Sequence, residues 1–403
     1  MNNLIPRPHF LDNLIKFRKV DVIKVVTGVR RCGKSTLLDL YIQYLKNEGI
    51  EDNQIVHINL EDVGMEHLHD YKALHEFLVS KLQEEKMTYI FVDEVGRCVG
   101  FEKAIDSIYI KKNTDVYITG SNADLLSGEL ATLISGRYVE IKMLPFSFAE
   151  FYSVSENKDK NQAFMNYLNI GSFPVVITQL GSDMELSDQY LEGIYNTIIV
   201  KDVVTRKGVS DVSLLKNIVK FLCSNVGSPV STANITDFIN NSGRKITQKT
   251  VDKYIKALTD SFLFYKVERY NIKGKNLLKT LGKYYVVDTG LRNHLLSSTG
   301  SDVGHQIENI VYLELLRRGY RVNIGKIDER EIDFIATKQK TKEYYQVAMT
   351  ALDESVMARE LAPLLKVRDN YPKYLLTLDF VTRDNEGIKQ INLIDWLLGM
   401  KSE

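Results

Sequence analysis

Between Val22 and Thr119 the chain alternates short apolar runs with longer stretches whose apolar residues recur every three or four positions. The pattern predicts strands at Val22–Thr27, Ile55–Leu60, Tyr89–Val92 and Asp115–Thr119, separated by helices beginning at Lys34, Tyr71 and Phe101. Strand and helix in alternation predict a parallel sheet covered by helices. The run Tyr89-Ile90-Phe91-Val92 is apolar at every position, as burial on both faces requires, and it ends in two carboxylates, Asp93 and Glu94.

After Leu144-Pro145-Phe146 the strand pattern stops, and the polar stretch Ser153–Lys160 reads as a linker. Residues 160–210 read as mostly helical, interrupted by Gly171-Ser172-Phe173-Pro174. Three helical patterns follow, Leu214–Ser224, Thr232–Asn240 and Thr247–Asp260, then two β-rich runs, Phe262–Tyr270 and Lys283–Val287. That order is the plan of a winged helix-turn-helix. From about residue 300, a helix (Gly304–Arg318), strands at Arg321–Ile324, Ile332–Ala336 and Tyr344–Ala348, a helix from Ser355 and a strand at Tyr374–Leu378 predict a further compact α/β unit.

Composition adds limits. A chain of 403 residues, 44% hydrophobic, has room for two or three domains with proper cores. Cys32, Cys98 and Cys223 lie far apart, which supports neither a disulfide framework nor a zinc ribbon. The polar start MNNLIPRPHF carries no leader pattern and no apolar run is long enough to span a bilayer, so a cytoplasmic location without membrane embedding is expected. The net charge of zero hides two opposed regions. Glu51–Glu102 holds 12 acidic and 4 basic residues, whereas Arg244–Lys283 holds 11 basic and 3 acidic.

The first chemical motif is Gly28-Val29-Arg30-Arg31-Cys32-Gly33-Lys34-Ser35, which fits G-x-x-x-x-G-K-[ST] between an apolar strand and an apolar-periodic helix. Backbone N–H groups of such a loop cradle phosphates of ATP, the lysine reaches the β- and γ-phosphates, and the Ser35 hydroxyl supplies a ligand to Mg²⁺. Thr36 is placed to touch the α-phosphate. Asp93 is the candidate for holding Mg²⁺ through water, and Glu94 for orienting or deprotonating the attacking water. Asn122, after the strand ending at Thr119, is a candidate for positioning that water. Arg137 is a candidate charge stabiliser, in its own subunit or in a neighbour of a homo-oligomer; the alternative for it is a plain surface salt bridge.

Together with Thr-Gly-Ser-Asn (119–122), Ser-Gly-Arg-Tyr (135–138), Leu-Pro-Phe-Ser-Phe-Ala-Glu-Phe (144–151), Gly-Ser-Phe-Pro (171–174), Lys-Asp-Val-Val (201–204), Lys-Tyr-Tyr-Val-Val-Asp-Thr-Gly-Leu-Arg (283–292) and Glu-Ile-Asp-Phe-Ile-Ala (331–336), these motifs resemble a widespread prokaryotic family. Its members join an AAA-type P-loop ATPase core to a C-terminal domain of unknown function. The resemblance spans nearly the whole chain and implies ATP binding and hydrolysis, with Gly33, Lys34, Ser35, Asp93, Glu94 and Asn122 in the roles just given. One position departs: members commonly carry Gln two residues after the Glu of the acidic pair, where this chain has Gly96.

In the winged-helix candidate, Lys249, Lys253 and Lys256 share one helical face, and the hairpin adds Lys266, Arg269, Lys273, Lys275 and Lys279. This surface suits the phosphates of double-stranded DNA, with a protein partner as the alternative. In the last segment Glu308, Asp333 and Gln346 have the order of the PD-(D/E)xK nuclease core, which the C-terminal domain of the family resembles. Such nucleases need a lysine two residues beyond the third position, beside a carboxylate-held metal. Here that residue is Ala348, so a degenerate binding domain is expected, with Lys366 as a candidate migrated lysine. His67, His69, Asp70 and His75 read as surface side chains, and Trp396 as core packing.

The expected fold class is therefore α/β: a P-loop NTPase parallel sheet with helices on both faces (1–155), a helical and winged-helix segment (156–299) and a restriction-endonuclease-like α/β domain (300–403). The expected activity is Mg²⁺-dependent hydrolysis of ATP coupled to DNA or a protein partner. A non-hydrolysing ATP-bound regulator and an ATP-dependent nuclease are the alternatives.

Overall fold

The computed structural model describes residues 5–126, 136–181, 183–205, 208–297, 302–380 and 383–400. The chain divides into two compact units, the first formed mainly by Met1–Leu144 and the second by Pro145–Thr259 with Leu263–Glu403. The first break thus falls just before Pro145, and the helix Phe148–Val154, which sequence assigned to the ATPase segment, belongs to the second unit.

In the first unit the described elements run α1 (Pro8–Lys16), β1 (Ile23–Thr27), α2 (Lys34–Asn47), β2 (Ile55–Asn59), α3 (Tyr71–Ser80), β3 (Thr88–Asp93), α4 (Phe101–Tyr109), β4 (Thr114–Gly120) and β5 (Tyr138–Lys142). The sheet is parallel, in the order β2-β3-β4-β1-β5. Every residue of β1 and β3 is buried, which explains their apolar composition. Lys24 stands out in β1, and its ammonium is matched at 2.5 Å by Asp115, itself bound by the hydroxyl of Tyr117. Because β4 lies between β1 and β3, the carboxyl ends of all three meet at one edge. In open parallel sheets that edge is where ligands bind.

The second unit carries a mixed eight-stranded sheet in the order β12-β13-β11-β10-β9-β8-β6-β7, with strands β6 (Phe264–Asn271), β7 (Asn276–Val286), β8 (Arg321–Ile327), β9 (Arg330–Lys338), β10 (Thr341–Val347), β11 (Lys373–Thr377), β12 (Arg383–Asn385) and β13 (Ile388–Asn392). The three helices before the hairpin are Val212–Ser224, Thr232–Asn241 and Gln248–Asp260, close to their expected bounds. The hairpin β6–β7, however, is not a free-standing wing. Strand β6 pairs in parallel with β8, so the hairpin and the last segment share one sheet within one compact unit.

Two motifs of the second unit explain each other. Asp288 accepts bonds from the backbone N and hydroxyl of Ser172 at 2.5 and 2.7 Å and caps the helix Thr289–Leu296 through Leu291 N at 2.6 Å. Gly290 has no room for a side chain: a Cβ there would meet Ile170 O at 2.2 Å. The segments Gly-Ser-Phe-Pro and Asp-Thr-Gly-Leu are thus two halves of one packed contact.

Candidate nucleotide-binding site

The loop 28–33 leaves the carboxyl end of β1 and enters α2, whose first residue is Lys34. Gly28 is required by close approach, since a Cβ would lie 2.2 Å from Met143 O. Arg7 supports the loop from behind: its buried guanidinium donates to Cys32 O at 3.1 Å and to Leu144 O at 2.8 Å. Cys32 is fully buried, and burial raises its thiol pKa, so it acts as packing. Ser35 is exposed at the first turn, with Thr36 half-buried beside it, where the positive end of α2 and its free N–H groups suit an anion.

Lys34 is buried, and its ammonium donates to Gly28 O at 3.2 Å and Val29 O at 3.3 Å, with Glu94 Oε1 at 3.4 Å. Glu94 follows β3 in the left-handed region at φ 49°, an uncommon conformation for a side-chain-bearing residue. Two side chains from β4 and its exit fix the acidic pair. Thr119 donates to Asp93 and accepts from Glu94 N at 2.9 Å, and Ser121 donates to Glu94 Oε2 at 3.2 Å. Asp93 Oδ2 is buried with no hydrogen-bond partner. A buried carboxylate oxygen left unmatched is costly unless a cation completes it. Asp93 and Ser35 therefore fit the donor set of Mg²⁺, a hard cation that keeps most of its waters and takes few protein oxygens.

Asn122 is buried, and beside it Ser121, which sequence reasoning passed over, reaches Glu94. The only signal for Ser121 was its position in Thr-Gly-Ser-Asn. Arg30 pairs with Glu61 at 3.1 Å, and Arg97 reaches the same oxygen at 3.2 Å. Glu61 thus gathers two cations beside the loop at the position range where the departure Gly96 occurs. Arg31 is exposed at φ 66°.

Arg137 lies away from the phosphate loop of its own chain. It precedes β5, whose Tyr138 is in register with Ile23 at the start of β1, while the phosphate loop follows Thr27 at its end. At about 3.3 Å per residue the separation along the strand is about 13 Å, beyond a contact within one chain. Arg137 instead pairs with Asp106 at 2.8 Å and lies over Tyr109. Ser135, beside it in the motif, lies outside the described residues.

In the second unit Lys249, Lys253 and Lys256 are exposed together, with the exposed Asp252 among them, and Lys253 donates to Gly208 O. Lys275 is exposed; Lys273 is held at 2.5 Å by Asp328. The side chain of Lys279 lies outside the described residues. Lys283, counted with this basic surface, is corrected: it is 3% exposed and points into the protein. Its ammonium lies 3.0 Å from Glu308, 2.8 Å from Glu331 and 3.9 Å from Asp333. The structure thus brings Glu308 and Asp333 together, with Gln346 bonded to Asp333 N at 3.4 Å. Lys366 does not join them, being paired with Asp328 at 3.3 Å. Among the other expectations, His69 bonds Leu60 O, His75 bonds Ser107, and Trp396 is buried under Arg318 at 3.9 Å.

Comparison with known proteins bears on both units. Residues 21–152 match a family model described as an AAA domain, and residues 161–302 match a domain of unknown function, DUF8612. The chain is 39% identical over 401 residues to an uncharacterized protein of Haemophilus influenzae, covering 98% of this chain and 99% of that one. It is 27% identical over 390 residues to an uncharacterized protein of Methanocaldococcus jannaschii, covering 93% and 85%. Among solved structures, a Walker-type ATPase of Pyrococcus abyssi is similar in fold, with a TM-score of 0.51 at 13% identity over 72% of this chain and 95% of that one. The five-stranded parallel sheet with its helices is a P-loop ATPase fold. No helix among the described residues is long and apolar enough to cross a membrane.

Proposed function

The chain belongs to one family with the Haemophilus influenzae protein, and because its N-terminal part is an AAA-type ATPase domain, we propose that it is a Mg²⁺-dependent ATPase whose turnover is coupled to a partner bound by the second unit. The observation that carries the reading is the convergence of Lys34, Asp93, Glu94 and Ser121 at one sheet edge, with Asp93 Oδ2 buried and unmatched. Ser35 and Asp93 would hold Mg²⁺, which supplies neutralisation of the phosphate charge. In the proposed cycle Lys34 exchanges the carbonyls of Gly28 and Val29 for the β- and γ-phosphates of ATP. Its release frees Glu94 to accept the proton of the attacking water. Ser121 keeps the Glu94 carboxylate oriented, and Thr119 keeps the two acids in fixed relation.

For the partner, the exposed lysines on Gln248–Asp260 and at Lys275 favour the backbone of duplex DNA. A protein partner is the second reading, favoured by Asp252 within the stripe and by the neutralisation of Lys273 by Asp328. The ATPase rate measured with and without duplex DNA across a salt series distinguishes them. Stimulation that falls steeply with salt supports DNA; a rate indifferent to DNA at low salt removes it.

A further inference from the structure

The nuclease resemblance implies a metal held by Glu308, Asp333 and the residue at 346, and the acids found there do not suit one. A divalent cation held by carboxylates needs oxygens free to approach within about 2.0–2.6 Å. Here one oxygen of each acid is already engaged. Glu308 Oε1 accepts from Lys283 Nζ at 3.0 Å and from the Tyr285 hydroxyl at 2.6 Å. Asp333 Oδ2 accepts from Val347 N at 2.9 Å, and Gln346 spends its amide on Glu360 at 3.0 Å. Among the described residues no group of three or more His, Cys, Asp or Glu could hold a metal ion. At the cluster's centre sits an ammonium with three N–H donors directed among three carboxylates, at hydrogen-bonding distance from two of them.

We infer that Lys283 is a resident cation: it fills the carboxylate cluster from the neighbouring hairpin, closes it to divalent metals, and makes the nuclease-like arrangement a keystone joining β7 to the sheet that follows. The geometry agrees with the pattern of titration. Burial alone would lower the Lys283 pKa, yet Glu308, then Asp333 and Glu331, hold it well above the ordinary lysine value. Tyr285, desolvated and facing Glu308, is held protonated as a donor. The inference is independent of the ATPase reading, since it uses none of the residues assigned to the phosphate loop or the acidic pair.

The test is calorimetric titration of the nucleotide-free full-length chain with Mn²⁺, beside circular dichroism to verify folding. Wild type and Asp333→Asn should bind Mn²⁺ identically. Folded Lys283→Met should gain one site per chain, at least tenfold tighter than any wild-type binding, and lose it again when combined with Asp333→Asn. If Lys283→Met does not fold, Lys283→Gln takes its place with the same expectation. Mn²⁺ binding in wild type that Asp333→Asn abolishes would overturn the inference, and so would a folded Lys283 variant that gains no site. Should neither variant fold, identical Mn²⁺ titrations of wild type and Asp333→Asn support a cluster closed to metal, and differing ones overturn it.

Discussion

Two buried lysines face buried glutamates in this protein, and their surroundings differ in one respect. Lys34 rests on two backbone carbonyls with Glu94 at 3.4 Å, and the acid beside it keeps an unmatched oxygen, Asp93 Oδ2. Lys283 has Glu308 at 3.0 Å and Glu331 at 2.8 Å, and none of the carboxylate oxygens around it is left buried and unmatched. A site that binds from outside carries unmet polar demand, whereas a site that has become structural meets its demand from within. In the proposed cycle the first arrangement is traded for phosphates. The second is closed.

The open site should answer through nucleotide binding. Lys34→Ala should lower ATP affinity by at least about 100-fold, about 2.7 kcal/mol by the affinity scale, in a calorimetric titration, while leaving the fold intact. Were affinity to fall less than tenfold, the loop would not be where phosphates are held. The closed site should answer through stability instead. Lys283→Met strands buried carboxylates and should cost about 3–5 kcal/mol in denaturant unfolding of the second unit. The sign with pH follows from the raised pKa: the contribution of Lys283 is complete below the ordinary lysine pKa, and is lost only as pH rises through its higher folded value. The variant should therefore lack that part of the alkaline destabilisation that wild type shows.

Gly290→Ala should cost about 1–3 kcal/mol, because its Cβ meets backbone at 2.2 Å where no flexible side chain can yield. The smallest effect marks the boundary of the comparison. Arg97→Ala removes a half-exposed pair with Glu61 and should change stability by less than about 1 kcal/mol. A larger loss in thermal unfolding would mean that Glu61 belongs to the buried machinery.

Much of the open site was legible in sequence because its parts are local. The phosphate loop is contiguous, and the acidic pair announces itself by ending an apolar strand. The order β1 to β4 followed from alternation alone. Strand β5 was passed over because Tyr-Val-Glu-Ile-Lys is short and half-exposed at the sheet edge, and α1 because nothing before it marks a start. The closed site was legible only in part. Glu308 and Asp333 were found through resemblance, but Lys283 was assigned to a basic surface, since a lysine in a hairpin reads as solvated. Its burial depends on acids 25, 48 and 50 positions later in the chain, and pairing at that range leaves no local periodicity. The same limit hid the place of Arg137, whose distance from the phosphate loop of its own chain is set by the register of β5 on β1.

We propose that the open site hydrolyses ATP with Glu94 as the base. This proposal is tested most directly by steady-state turnover and nucleotide binding of Glu94→Gln beside wild type, at saturating ATP and Mg²⁺. ATP should bind with affinity within a few-fold of wild type, and turnover should fall by about 10²–10⁴, the usual contribution of general acid–base catalysis. Turnover at the wild-type rate would contradict the proposal.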